Sequence, residues 1–170
     1  AMSANTTGTQ NVSIGEESLL ANTTGGQNVA IGSESMKANT TGSNNVALGR
    51  NALKGNTTAA NNVALGMDTL VANTTGTRNL AIMKNALNAS DTEDDNIAIG
   101  YDAMTTNTAG GTRNVAVGNY ALDALTSGDD NVAIGHASQT ATNTGVSNTS
   151  VGKDTLFANT SGDFNVAVGS

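Results

Sequence analysis

The chain has 170 residues, a formal charge of −7, and no Cys, Pro or Trp. Disulfides and thiolate metal centres are therefore excluded, and a scattered acidic surface repels phosphate, which argues against nucleic acid as a partner. No apolar run approaches the length of a membrane span or a signal-peptide core, so no membrane insertion is expected.

The first predicted strand opens at Asn11. The same Asn returns at Asn28, Asn45, Asn62, Asn79, Asn96, Asn114, Asn131, Asn148 and Asn165, every 17 residues except for one step of 18 across Gly110-Gly111. Only 36 residues are Val, Ile, Leu, Met or Phe. So small a share alone points to disorder, but their fixed register argues for order. The consensus is N-V-A-I-G-x-x-A-L-x-A-N-T-T-G-x-x.

Within each unit, Val and Ile alternate with a small residue, as in Val29-Ala30-Ile31. That period of two predicts a strand with Val and Ile on one face, filling the coil. The small residue points the other way. Ala30, Ala47, Ala64, Ala81, Ala98, Ala116 and Ala133 are expected to form a flat column against which another chain packs; a solvent-facing column is the alternative. Gly follows in nine of ten copies, with Met83 the exception, and marks a bend. A second apolar column (Leu19, Met36, Leu53, Leu70, Leu87, Met104, Leu122 and Leu156, interrupted by Gln139) is expected on a second short strand opposite the first. Asn-Thr-Thr-Gly then turns the chain, with Asn capping its own backbone.

Seventeen residues hold two short strands and two turns but no helix. The predicted fold class is all-β: a parallel β-solenoid, or β-roll, of ten 17-residue coils forming one domain over residues 1–170. A lone coil cannot offset its ordering entropy, so stability is expected from stacking and from burial between chains. The chain opens in mid-repeat and ends just after Gly169, as expected of a segment cut from a longer fibre protein.

The N-V-A-I-G, A-L and N-T-T-G segments resemble the repeat regions of phage tail-fibre-like and bacterial surface-fibre proteins. N-V-A-I-G is also similar to the head repeats of trimeric autotransporter adhesins of the Yersinia-adhesin type. The resemblance implies left-handed coils, assembly with itself as a homotrimer, and an extracellular place on a bacterial surface or a virion tail fibre. It further implies a cell-surface glycan or protein receptor as partner.

No catalytic constellation emerges, and the protein is not expected to be an enzyme. His136, the one His, lacks an organised Ser or Asp partner and lies in a variable column that reads as surface. The breaks in the repeat are more informative. Asp91, Glu93, Asp94 and Asp95 replace the usual turn and could bind Ca²⁺ through oxygen ligands; the preferred reading is a solvated acidic turn, so no cofactor is expected. Tyr101, Tyr120, His136 and Arg113 cluster in the irregular sixth to eighth repeats and could form a sugar site. The alternative is that two Tyr on so large a surface mean nothing special. The Asn-X-Thr sequons have turn roles and no glycosylation is expected. The leading expectation is a structural or adhesive fibre segment that presents or forms a receptor-binding tip. The runner-up is a glycan-binding adhesin module using repeats five to eight, and an ice-binding solenoid ranks below both. Recognition is expected where the repeat fails: at Met83, at Asp91 to Asp95, near Gly110, and at Gln139.

Overall fold

A computed structural model describes every residue except Thr108, Ala109 and Asn143. It is a parallel β-solenoid with one three-residue strand per coil: β1 (Val12–Ile14), β2 (Val29–Ile31), β3 (Val46–Leu48), β4 (Val63–Leu65), β5 (Leu80–Ile82), β6 (Ile97–Ile99), β7 (Val115–Val117), β8 (Val132–Ile134), β9 (Thr149–Val151) and β10 (Val166–Val168). The strands pair in chain order into one ten-stranded sheet. Equivalent residues stack on each other: Val29 on Val46, Ala30 on Ala47, Ile31 on Leu48. The step of 18 is absorbed outside the sheet, since Ile97 still pairs with Val115.

Two sequence expectations are corrected here. The first concerns the strand faces. Ala30, Ala47, Ala64, Ala81, Ala98, Ala116 and Ala133 are fully buried within the single chain, while Val and Ile point outward. The Ala column therefore cannot be the surface that meets another chain. Its small size fits the narrow interior instead, where each Ala shares the core with a Leu or Met of the second apolar column. A period of two fixes that the faces differ, but not which of them is inside.

The second correction concerns the other side of the coil, where no second strand forms among the described residues. The residues between Gly and Asn-Thr-Thr-Gly run as turns, and the buried Leu19, Met36, Leu53, Leu70, Leu87, Met104 and Leu122 adopt φ of 47–52°. Left-handed backbone is unfavourable for Leu. It is held by hydrogen bonds between coils: Leu19 N–H donates to Ser35 O at 3.0 Å and Met36 N–H to Ala52 O at 3.0 Å.

Two Asn columns line the interior. In the first, each Asn takes the backbone N–H of the next on its side-chain oxygen, as Asn45 does from Asn62 at 3.0 Å. It also donates its amide to the turn a coil onward, as Asn45 does to Ala59 O at 2.9 Å. In the second, Asn39 closes its own turn on Gly42 O at 3.1 Å and donates to Asn22 Oδ1 at 2.8 Å. Most of these buried side chains are satisfied, the Oδ1 atoms of Asn73 and Asn107 being exceptions, so the polar columns act as structural members of a thin core.

The Gly after each strand is required by close stacking. Gly32 has φ of 136°, and a methyl group there would meet the Gly49 carbonyl oxygen at 2.5 Å. Met83 replaces this Gly, adopts φ of 89° and projects to solvent.

Candidate functional site

The outward strand face is the largest feature. Of its twenty positions in β1 to β10, nineteen are Val, Ile or Leu and one is Thr149. The stripe carries no charge and follows the sheet for all ten rungs, roughly 43 Å at the usual strand spacing. Ile14 remains 58% exposed and Leu48 47% exposed. Monomeric proteins seldom leave so long an apolar patch open.

Just past this stripe runs an aromatic ladder, half-buried at Tyr101 and exposed at Tyr120 and His136. Tyr101 follows β6, Tyr120 follows β7 and His136 follows β8. The Tyr101 and Tyr120 rings meet edge to face with centroids 5.6 Å apart, and Tyr120 meets His136 in the same manner at 5.7 Å. Lys84 Nζ stands 5.8 Å from the centre of the Tyr101 ring. The structure thus joins three of the four residues expected at a sugar site. Lys84 was missed by the sequence reading, although it stands in the same column, directly after Met83.

The fourth, Arg113, belongs to a different ladder. Its guanidinium grips Asp130 through Nε at 2.6 Å and Nη2 at 2.9 Å, and Nη1 donates to Thr112 Oγ1. Asp129 accepts from the Thr112 backbone and hydroxyl. Thr77-Arg78 and Asp94-Asp95 build the same clasp one pair of coils earlier. The arginine bonds hold the Asp95 and Asp130 carboxyls below the ordinary carboxylate range. Coil contacts occupy Arg113, so it does not contribute to the aromatic surface.

The acidic turn is likewise committed to the fold. Glu93 is buried, and its Oε2 accepts from Ser90 Oγ, Asp91 N and Thr92 N at 2.9, 2.8 and 3.1 Å. Its Oε1 accepts from Gly110 N at 3.0 Å, anchoring the turn that carries the extra residue. Asp94 and Asp95 serve the first clasp, and Asp91 is exposed. Among the described residues, no group of three or more His, Asp or Glu side chains is placed to hold a metal. The preference for a solvated turn is thereby changed: the central acid is an internal brace.

Gln139 is fully buried, with its amide on Val132 O and Ser150 Oγ, both at 2.9 Å. It is unavailable to a ligand, whatever its departure from the repeat. Burial pushes the Asp123 carboxyl up from its ordinary value. The chain matches no protein-family profile, no curated protein and no solved structure.

Proposed function

We propose that this chain is a rigid, self-associating structural segment of an extracellular fibre, a homotrimer whose three subunits pack their Val/Ile/Leu faces together. The observation that carries the reading is the uncharged ten-rung aliphatic stripe on the outside of a solenoid whose own core is already filled. Burying such a surface is favourable at roughly 25 cal/mol per Å² of apolar area. The same stripe from a second and third copy is its natural complement, because identical ladders share one rung spacing and rows can interdigitate along their whole length. The repeat resemblance supplies the trimeric state and the location on a bacterial surface or virion tail fibre, where a rod of this kind would present or form an adhesive tip.

Light scattering over a range of concentrations tests this reading. It expects a trimer, with Val63→Lys/Leu65→Lys shifting the protein to smaller, still folded species. A well-folded wild-type monomer at micromolar concentration contradicts it.

A further inference from the structure

We infer that Tyr101, Tyr120 and His136, with Lys84, Asp102 and Asn119 beside them, form a carbohydrate-binding strip along the solenoid. The repeat calls for no aromatic residue at any position, yet both Tyr of the chain and its one His fall in three successive coils and touch. Their packing ties the rings to one another. Aromatic rings fixed in this way give contact area at little cost in conformational entropy. None of the three is needed by the core, which closes in the neighbouring coils without them.

The polar surroundings point to a sugar. Among the described residues, Lys84 is the one Lys or Arg with no carboxylate at ion-pair distance; the other six all have one. A free ammonium over a ring can donate to ligand oxygens. Asn119 is exposed and held by the Tyr101 N–H on its Oδ1 at 2.9 Å, which leaves its amide N–H groups facing solvent. Asp102 takes the Asn85 amide on Oδ1 at 2.8 Å, and its Oδ2 has no donor among the described residues. Donors and acceptors thus alternate with ring surface, as the hydroxyls and C–H faces of a pyranose require. Asp102 also repels a densely charged polyanion, which disfavours nucleic acid.

No pocket is present among the described residues, so the ligand must lie along the surface. Successive ring centroids are 5.6 and 5.7 Å apart, close to the length of one sugar unit in an extended chain. An oligosaccharide running parallel to the solenoid axis therefore meets one ring per unit.

The test is a glycan array of neutral and acidic oligosaccharides probed with the assembled protein, followed by titration of the best binder. Wild type should bind. Tyr101→Leu/Tyr120→Leu, which keeps apolar bulk but removes both rings, should weaken affinity about tenfold or more. Lys84→Gln should weaken it less, and Arg113→Ala should leave it unchanged. Should the double variant misfold by circular dichroism, the single variants Tyr120→Leu and His136→Leu decide in its place. No binding by wild type, or equal binding by the folded ring variants, overturns the inference. Light scattering on the same samples reads self-association separately, so this site stands or falls independently of the trimer.

Discussion

Asn45 donates its backbone N–H to the side-chain oxygen of Asn28, 3.0 Å away and one full coil earlier. This bond is one rung of a column in which every Asn from Asn11 to Asn148 both accepts from the next coil and donates to a turn carbonyl. Removing Asn45 takes away the acceptor of the buried Asn62 N–H and leaves the Ala59 carbonyl with only the Asn56 amide, at 3.3 Å. Asn45→Ala is expected to destabilise the chain by about 1–3 kcal/mol, since unmade buried hydrogen bonds cost that much. Urea unfolding followed by circular dichroism measures it. A loss near zero would show that water or a relaxed turn replaces the side chain.

The interior and exterior positions of one strand should respond in opposite ways to size. Ala64 is fully enclosed, whereas Val63 and Leu65 on either side face outward. Ala64→Leu forces a larger side chain into a filled coil and is expected to cost about 1–3 kcal/mol or more. Val63→Ala should alter self-association before it alters coil stability. Thermal melts at two protein concentrations separate the effects, because only a change in association depends on concentration.

The two arginine clasps predict an acid-sensitive contribution. Asp95 and Asp130 have folded pKa values below their unfolded ones, because Arg78 and Arg113 hydrogen-bond the ionised forms. Their stabilisation is complete above the unfolded value of about 3.9 and is lost as pH falls through the folded one. Asp123, raised by burial, acts in the opposite sense: charged at neutral pH, it opposes folding, and mild acid relieves it. Arg78→Gln/Arg113→Gln should therefore flatten the fall in stability as pH drops below about 4. The clasps are largely solvent-exposed, so raising the salt concentration should shrink the difference between variant and wild type.

Glu93 offers a sharper contrast. Its buried carboxylate satisfies four donors from Ser90, Asp91, Thr92 and Gly110. Glu93→Ala is expected to cost about 2–3 kcal/mol, and Glu93→Gln less, because the amide oxygen retains part of the set. Added Ca²⁺ should leave the wild-type melting temperature unchanged; a clear rise would mean that the acidic turn opens to bind the ion.

Much of the fold was legible because the repeat is strict. Asn at fixed intervals, one strand triplet and one turn per unit define a solenoid before any coordinate is known. Which strand face lies inside was not legible. Val29 and Ile31 look like core and Ala30 like contact surface when hydrophobicity is the only guide. Each three-residue strand turns one position inward, and Met36, Asn28 and Asn39 are fully buried in the same coil, so a small residue fits there. Leu and Met in left-handed backbone were equally hidden, since propensity argues against them and only inter-coil bonds sustain them. The aromatic ladder was partly legible. Tyr101 and His136 share a column, but Tyr120 sits one residue further along its coil, and the meeting of the three rings is not visible in the spacing. The acidic turn misled in a simple way: four acids in sequence suggest one site, yet Glu93 turns inward while Asp95 turns to Arg78.

The most direct test of the central claim uses the absence of native Cys. Leu48→Cys places a single thiol on the outward face, and Ala47→Cys places one in the core of the same strand. Mild oxidation followed by a non-reducing gel should show rapid inter-chain cross-linking for Leu48→Cys and none for Ala47→Cys. Cross-linking through position 47 but not 48, or at neither position in folded protein, would contradict a fibre assembled through its aliphatic face.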